Sequence, residues 1–370
     1  MTNRLQGPMM GIALTLCLAA SAVPTQAQKP VKRAQKSKQK SNVQASPNKA
    51  QLNAALAMAV RQRSSERVWD LLKRGANPNL ISDGSPVLVL AASGGAVEEA
   101  IPKTVPGDNA SVEALLEAGA KPDATDAKGE TALWKAAVNG NSDLCEMLLT
   151  HHASVDLAKE DGITPLMAAA ANAAVDATDV LLAHHANPNA HTQGGMTPLA
   201  CLVVGEGSSQ FAVLLNPSLG ASLKALVFRK LIAAGADVKA KTTDGTGLLT
   251  IAAAAGDLAF VRILLEKGAA INERSQGGDT PLLGAALEGK VPVARFLLAN
   301  SADPNLATSE GLTPLMAAVH KGNFALVQML LNKGANVSAR AKDGMTALKV
   351  ADTQKLTALK KLLLAAGAKE

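Results

Sequence analysis

The stretch that decides the fold runs from Glu310 to Ala339 and reads EGLTPLMAAVHKGNFALVQMLLNKGANVSA. Its Thr-Pro-Leu signature at 313–315 has counterparts 33 residues away on both sides, at 280–282 and at 346–348. Further upstream, the signature stands at 197–199 and 164–166, and at 131–133, as at 346–348, it reads Thr-Ala-Leu. A fixed period of this length predicts a stacked array of repeats, because one such unit buries too little apolar surface to fold alone.

One repeat unit predicts two short helices and a hairpin. Thr313 is a residue type that caps helices and Pro314 suits the first helical position, so a helix begins here. The first helix breaks at Gly322-Asn323, and a second helix follows with the apolar residues of 326–331 on one stripe. Gly334 ends that helix, because glycine tolerates the left-handed backbone that closes a helix. The turn residues that follow predict a hairpin leading to the next repeat.

This unit resembles an ankyrin repeat, in which Gly-x-Thr-Pro-Leu-His-x-Ala-Ala opens the first helix and Leu-Leu-x-x-Gly-Ala closes the second. The resemblance covers residues 51–369 and implies an all-α repeat solenoid, an array of about nine helix-turn-helix repeats with hairpin loops. One departure from the family pattern recurs along the chain: the His that follows Pro-Leu is replaced. The hydrogen bond that this His would make to a neighbouring hairpin is therefore absent. The residues in place of this His are Trp134, Met167, Ala200, Thr250, Leu283, Met316 and Lys349.

The repeat boundaries follow the period, with two interruptions. The predicted repeats are about 51–81, 82–125, 126–158, 159–191, 192–241, 242–274, 275–307, 308–340 and 341–369. Insertions at about 96–109 and 205–221 lengthen the second and fifth repeats, in the turn between the two helices. They are either a second contact edge or a tolerated lengthening of a surface turn. The second insertion contains Phe211 and Leu214 and is apolar enough to predict a short helix packed on the array.

The first 27 residues have the pattern of a secretory signal peptide. Arg4 precedes an apolar run at 9–20, and small residues then allow cleavage after Ala22 or Ala27. The apolar run is short for a membrane span, which disfavours an uncleaved anchor. The sequence therefore predicts an exported protein, periplasmic or secreted, with delivery into a host cell as a further destination.

Residues 28–50 are rich in Lys, Gln, Ser, Pro and Asn and predict a disordered basic linker. Residues 1–50 hold 8 of the 37 Lys and Arg and none of the 31 Asp and Glu, which leaves 29 basic against 31 acidic residues beyond them. The formal charge of +6 therefore comes from the N-terminal segment. A pI near 9.2 gives no reason to expect specific nucleic-acid binding by the repeats. The linker is either a solvated spacer or a contact for anionic surfaces.

Two histidine pairs are the most suggestive polar feature. His151-His152 and His184-His185 lie 33 residues apart, in equivalent loops of neighbouring layers, where imidazoles could share a transition metal. However, His152 and His185 occupy the position of the helix-ending glycine, and His is among the residues that tolerate left-handed geometry. Because no Cys or carboxylate completes a ligand set, no metal and no other cofactor is predicted.

Two cysteines remain beyond the predicted signal peptide. Cys145 and Cys201 belong to the third and fifth repeats, about 18 Å apart for layers spaced about 9 Å. A disulfide needs Cα atoms within about 7 Å, so both are predicted to be free, largely buried thiols. Neither has an evident base to activate it as a nucleophile, and the chain is predicted not to be an enzyme.

The resemblance implies a non-enzymatic scaffold or adaptor that binds a protein partner on its concave side. Hairpin tips and the exposed end of each first helix would supply the contacts, from a monomer without a small-molecule substrate. Trp134 is the leading hot spot, since a partly exposed Trp often anchors an interface, and core packing is its alternative. The contact residues implied are Lys128, Glu130, Trp134, Val138 and Asn139 in repeat three, Glu160, Asp161 and Ile163 in repeat four, Thr243 and Asp244 in repeat six, and Glu310, Leu312, His320 and Lys321 in repeat eight.

Two further functions compete with the scaffold. In the first, the protein tethers to the envelope: its basic N-terminal tail binds anionic polymer or lipid, and the repeats regulate a neighbouring enzyme. Salt-sensitive binding that disappears on deletion of residues 28–50 would favour it. In the second, the insertions supply an active site, and removal of either insertion would abolish activity.

Overall fold

The computed structural model describes residues 48–93, 108–205 and 217–369, with the backbone alone for 217–222. Within these ranges eighteen helices follow one another in consecutive pairs, joined by hairpin loops. The predicted signal peptide, residues 28–47 of the predicted linker, and the inner parts of both predicted insertions, including Phe211 and Leu214, lie outside the described residues. The described chain is an all-α repeat solenoid.

The helices form two rows, because first helices contact the first helices of neighbouring repeats and second helices contact second helices. The first helices are α1 (Lys49–Arg61), α3 (Val87–Ala92), α5 (Ala132–Val138), α7 (Pro165–Ala171), α9 (Pro198–Val204), α11 (Leu248–Ala255), α13 (Pro281–Leu287), α15 (Pro314–His320) and α17 (Ala347–Thr353). The second helices are α2 (Ser65–Lys73), α4 (Asn109–Glu117), α6 (Ser142–Thr150), α8 (Val175–Ala183), α10 (Pro217–Ala233), α12 (Leu258–Glu266), α14 (Val291–Ala299), α16 (Phe324–Asn332) and α18 (Thr357–Ala365). One hairpin contains a short antiparallel pair, β1 (Ile81–Ser82) with β2 (Ser85–Pro86), in which Ile81 lies opposite Pro86.

The threonine that opens a first helix caps it, as the sequence predicts. Thr313 Oγ1 accepts a hydrogen bond from the Met316 N–H at 3.2 Å, and Pro314 takes the first helical position. Each cap satisfies a backbone N–H that would otherwise have no partner. The same bond is made by Thr131, Thr164, Thr197, Thr280 and Thr346.

The core is a continuous layer of leucine and alanine between the two rows of helices. Leu315, Ala318 and Leu330 are all at most 1% exposed, and their equivalents in the other repeats join the same cluster. Phe228 and Phe260 meet edge to face within this layer, with ring centroids 5.3 Å apart. Because the apolar surface of one repeat is covered by the next, stability is shared along the stack.

The first repeat begins earlier than the sequence predicts. Helix α1 starts at Lys49, so residues 48–50 belong to the array and the predicted disordered linker is shorter by that much. Asn48 Oδ1 accepts from the Gln51 N–H at 2.9 Å, and Gln51 Oε1 accepts from the Asn48 N–H at 3.0 Å. This reciprocal capping box fixes the first turn. It was missed because Asn48 closes a stretch of low-complexity composition.

Both predicted insertions are also shorter than their predicted bounds. Asp108 caps α4 by accepting from the Ser111 N–H at 3.2 Å, so Asp108 and Asn109 belong to the second helix of that repeat. Helix α10 begins at Pro217 and includes the end of the second predicted insertion. It has 17 residues where α12 has 9, so part of this insertion lengthens a second helix.

A row of Asn and Asp side chains links each repeat to the next. Asn305 Oδ1 accepts from the Asn336 N–H at 2.7 Å, and Asn305 Nδ2 donates to the Gly334 carbonyl at 3.0 Å. Lys239 stands at this position in the fifth repeat, and an ammonium group cannot accept a hydrogen bond. The equivalent bond to the N–H of the next repeat is made by Asn79, Asp123, Asp156, Asn189 and Asn272.

Lys239→Asn is therefore expected to stabilise the array by about 1 kcal/mol, the usual net contribution of one hydrogen bond. The new carboxamide would accept from the N–H of Ala270, the residue equivalent to Asn336 two repeats earlier. Urea unfolding of the two proteins measures the difference. Lys239→Ala is the matched control, since it removes the charge without supplying an acceptor. Equal stabilisation by both substitutions would contradict this explanation.

Candidate functional site

The hairpin tips of the later repeats are joined by main-chain hydrogen bonds. The Thr243 N–H donates to the Gly194 carbonyl at 3.1 Å, and the Gln276 N–H donates to the Asp244 carbonyl at 2.8 Å. The ladder continues from Ser309 to Gly277 at 2.7 Å and from Lys342 to Glu310 at 2.9 Å. These bonds fix the backbone of the hairpin tips. We call the exposed and half-buried tip residues the tip row: Thr243-Asp244, Gln276-Gly277, Ser309-Glu310 and Lys342-Asp343.

The predicted contact residues fall into three groups by exposure. The exposed residues are Lys128, Glu160, Asp161, Thr243, Glu310, His320 and Lys321. The half-buried residues are Trp134, Val138, Asn139, Asp244 and Leu312. The exposed and half-buried residues lie on hairpin tips and at the ends of first helices, as expected from their positions in the repeat. That they contact a partner stays a prediction.

Two predicted contact residues do not offer their side chains to a partner. Glu130 is 6% exposed and Ile163 is 7% exposed. Each immediately precedes a capping threonine, and this position turns toward the interior of the array. The Glu130 carboxylate pairs with Lys135 of its own repeat, and Ile163 belongs to the apolar core. The expectation of surface contacts at these two positions is therefore wrong.

Trp134 lies between two lysines rather than open to solvent. Lys135 Nζ is 5.4 Å and Lys159 Nζ is 5.2 Å from the centroid of its ring, within the range of cation–π contact. Lys159 also pairs with Asp161 at 2.7 Å, so repeats three and four share one charged cluster around the indole. The Trp134 ring packs against the core, and its Nε1 is buried without a hydrogen-bond partner among the described residues. Both interpretations of Trp134 thus have a physical basis: it packs inward and keeps a half-buried face.

The exposed end of α15 contacts both neighbouring repeats. The Gln354 amide nitrogen lies 2.7 Å from His320 Nδ1, and Lys321 Nζ lies 3.9 Å from the Glu288 carboxylate. These contacts join the predicted residues of repeat eight to repeats seven and nine. Over repeats seven to nine, polar side chains therefore join the ends of successive first helices.

A cap supplied by the hairpin that follows the helix pair was missed by sequence reasoning. The sixth repeat has Gly247 where repeats three to five and seven to nine have the capping threonine. Glu273, from the next hairpin, replaces that cap, because its Oε1 accepts from both the N–H and the Oγ1 of Thr250 at 3.1 Å. A side chain at Gly247 would collide with the Glu273 carboxylate. The sequence did offer a signal for this cap: Gly247 replaces the capping threonine, and Thr250 stands at the position where the family has His.

Glu273→Ala is expected to destabilise the array by about 1–2 kcal/mol, because it removes a helix cap and leaves a partly buried N–H unpaired. Gly247→Thr alone should change the stability little, because the carboxylate that the new side chain meets is the flexible end of Glu273 and can move aside while the threonine caps α11. Together the two changes should recover most of the loss, since the new threonine can cap α11 as in the other repeats. A double-mutant cycle in urea measures this coupling, and simple additivity would refute it.

Both cysteines are free and buried, which confirms the prediction. Cys145 is 0% exposed and Cys201 is 4% exposed. Burial raises the pKa of each thiol to about 12, and the nearby carboxylates of Glu146 and Asp161 act in the same direction. Since the thiolate is the nucleophile, neither thiol is set up for chemistry at neutral pH.

The stability of the protein is expected to fall above pH 9 because of these thiols. Their pKa in the fold, about 12, exceeds the ordinary 9.0, so the unfolded chain loses these protons first as the pH rises. The effect is negligible at pH 8 and reaches about 1.4 kcal/mol per thiol near pH 10. Urea unfolding at pH 8 and pH 10 measures it. A Cys145→Ala, Cys201→Ala variant should lose less stability between these two pH values, and an identical loss would contradict the assignment.

The histidine pairs have the backbone geometry that the sequence indicates. His152 has φ 66° and His185 has φ 64°, which confirms that they occupy the helix-ending position. His184 Nε2 lies 3.1 Å from the Glu146 carboxylate of the preceding repeat. Across residues 48–93, 108–205 and 217–369, His, Cys, Asp and Glu form no group of three or more arranged to hold a metal ion. In the same ranges, no helix combines the length and the apolar character needed to span a bilayer.

The geometry defines a class of protein: a stacked helix-pair array with a row of hairpin tips along one edge. The sequence profile described as "Ankyrin repeats (3 copies)" matches residues 103–192, 218–308 and 300–369. These matches cover more than half of the chain, and the chain belongs to the ankyrin repeat family. Ankyrin repeats are in general modules for protein–protein interaction.

One solved structure supports the fold independently. The crystal structure of the human ASB11 ankyrin repeat domain aligns with a TM-score of 0.54 and 23% sequence identity. The alignment covers 65% of this chain and 100% of that one. No curated protein matches the sequence.

Proposed function

We propose that this protein is an exported, non-enzymatic scaffold that binds a protein partner along its tip row and first-helix ends. The observation that carries the proposal is the main-chain ladder through Thr243, Gln276, Ser309 and Lys342. A surface whose backbone is already fixed loses little conformational entropy on binding, which favours affinity. The ladder is continuous over repeats five to nine, long enough for an extended contact.

The side chains on this surface are suited to a polar contact with a protein. Glu310 and Lys342 form an ion pair at 3.4 Å whose side chains are 75% and 67% exposed. Exposed pairs of this kind contribute little to stability, so a partner can replace one member without a large penalty. Glu160 extends the row into repeat four and has no ion pair with another described residue. We expect the partner to present both signs of charge.

The proposed export and the alternative tethering function both rest on the N-terminal sequence. The signal-like pattern of residues 1–27 supports export, and the eight basic residues of 1–50 support attraction to anionic surfaces. The two functions predict different effects of salt on binding. A partner on the tip row should stay bound at high salt, whereas attraction to the tail alone should be screened.

The test is affinity capture from the exported fraction with chains 28–370 and 48–370 as parallel baits. A variant carrying Glu160→Lys and Glu310→Lys reverses two exposed charges on the proposed surface. Glu113→Lys with Glu117→Lys makes the same charge change on the exposed side of α4 and serves as the matched control. The proposal predicts a stoichiometric protein held by both baits at high salt and lost only with the first variant.

Two outcomes would reject the scaffold. If only the longer bait retains material and salt removes it, the tail is the binding element and tethering is favoured. If the variant at 160 and 310 retains the same protein as the control, the tip row is not the contact surface.

A further inference from the structure

The second helices carry a row of charges that changes sign along the array. The position lies two residues before the aliphatic pair near the end of each second helix, which is Leu231-Ile232 in the fifth repeat and Leu-Leu in the other repeats. It is acidic in repeats two to four and arginine in repeats five to seven. The acidic residues are Glu113, Glu146 and Asp179, and the arginines are Arg229, Arg262 and Arg295. All six side chains are exposed, on the row of helices that the tip row does not use.

The two halves of this row differ in how their charges are used. Glu146 contacts His184 at 3.1 Å, and Asp179 pairs with Lys230 at 2.5 Å, so two acidic members have partners in the next repeat. The three arginines form no ion pair with another described residue. A run of three guanidinium groups at one register is therefore available to an outside ligand.

An apolar groove lies between the arginines of repeats six and seven. Its volume is about 410 Å³, and it is lined by Leu258, Arg262, Val291, Pro292, Arg295, Phe296 and Ala299. The Arg262 guanidinium lies 4.4 Å from the centroid of the Phe296 ring, which holds this arginine over the groove. The groove thus combines an apolar floor with cationic walls.

The apolar surface continues into repeat eight. Leu258 and Val291 begin α12 and α14, and Phe324 begins α16 at the same position. Phe324 is 46% exposed, one of few large apolar side chains so exposed among the described residues. An apolar row therefore runs beside the arginine row over successive layers. We call the two rows together the arginine groove.

We propose that the arginine groove binds an acidic, extended peptide segment of a partner protein, with apolar side chains between its carboxylates. Each guanidinium offers paired donors that match a carboxylate. The apolar row takes the intervening side chains, which would gain by leaving water. The surface lies apart from the tip row, so this inference does not depend on the proposed scaffold contact.

Charge excludes two other occupants of the arginine groove. The N-terminal segment of this chain is basic, with no Asp or Glu in residues 1–50, and would be repelled by the arginines. A long polyanion such as nucleic acid would continue from the arginines onto Glu113, Glu146 and Asp179 at the same register. Its phosphates would meet like charges there. The sign change thus favours a short anionic ligand.

The spacing of the layers suggests the spacing of the acids. Packed helices lie about 8–10 Å apart, so the arginines should repeat at about this distance. A polyproline II peptide advances about 9 Å in three residues and presents every third side chain on one face. A peptide with an acid at every third position can therefore face one arginine per layer.

The experiment titrates the full chain into fluorescein-labelled peptides and follows anisotropy at moderate ionic strength. The probe repeats Glu-Pro-Leu three times. One comparison peptide has the same composition with its three Glu grouped at one end, and a second has Lys in place of Glu. Arg262→Gln with Arg295→Gln is the test variant. Lys121→Gln with Lys128→Gln is its matched control, since both lysines are exposed on hairpins of repeats two and three, away from the register of the arginines.

The proposal predicts saturable binding of the spaced acidic peptide, weaker binding of the grouped one and no binding of the lysine peptide. The arginine variant should weaken binding about tenfold, the effect of losing two exposed ion pairs, while the lysine variant should not. Absence of saturable binding, or equal binding by the two variants, would overturn it. Tighter binding of a nine-nucleotide oligothymidylate would also overturn it and indicate a polyanion surface instead.

Discussion

Gly195→Ala is expected to destabilise the array by about 3 kcal/mol, the sum of two separate costs. Gly195 has φ +80°, and an L-residue in this conformation is strained by about 1–2 kcal/mol. A Cβ there would also lie 2.6 Å from the Thr243 nitrogen and 2.7 Å from the Thr242 Cα. These are main-chain atoms of the next hairpin, which cannot rotate away, so the hairpins must separate at a cost of about 1–3 kcal/mol.

Gly344→Ala is the matched control for this prediction. Gly344 holds the same place in the last described hairpin and has φ +76°, yet a Cβ there would have no atom within 4 Å. It should therefore lose only the conformational part, about 1–2 kcal/mol. Urea unfolding of the two variants measures the difference. Equal losses would mean that the hairpins do not constrain one another, which would also weaken the argument for a preorganised tip row.

Much of the fold could be predicted because repetition tests each local signal several times. A single Thr-Pro is a weak indication of a helix start, but Thr313 and its equivalents recur at one register with the same apolar stripe behind them. The left-handed backbone at His152 and His185 was predicted in the same way, from the glycine that usually stands there. Local propensity and period agree at these positions, and the structure follows both.

What could not be predicted depends on packing between elements that are separate in the sequence. The burial of Glu130 and Ile163 follows from how one hairpin lies on the next, and it cannot be predicted from the residue type at either position. The cap from Glu273 to Thr250 joins residues 23 apart, one on a first helix and one on the hairpin that follows the second helix. Sequence reasoning treated each repeat as a copy with local caps, so a cap from a distant hairpin was outside its scope.

The arginine groove could be predicted from the sequence only in part. Its charge row is visible once the second helices are aligned on their aliphatic pairs, since the register gives Arg229, Arg262 and Arg295 directly. The groove itself is not visible, because it requires the distance between α12 and α14 and the placement of Phe296. Alignment of repeats predicts which residues share a face, whereas only packing shows what lies between them.

Leu297→Ala is expected to destabilise the array by about 2–5 kcal/mol, the usual range for a buried leucine whose side chain leaves a cavity. Leu297 is 0% exposed in α14 and belongs to the continuous core. Leu364→Ala in α18 is the matched control. Leu364 is 40% exposed, so the same chemical change there should cost less than about 1 kcal/mol.

The way in which the Leu297→Ala protein unfolds is as informative as the amount of stability lost. In an array where each repeat contacts only its neighbours, a weak repeat in the second half should open before the rest of the stack. Amide exchange is therefore expected to accelerate most in repeats six to eight and least in repeats two and three. The slope of the urea transition should also fall, because a partly unfolded state exposes less new surface per step. A uniform acceleration throughout the chain, with an unchanged slope, would instead show that the repeats unfold as one cooperative body. The tip row and the arginine groove would then respond together to any change in the core.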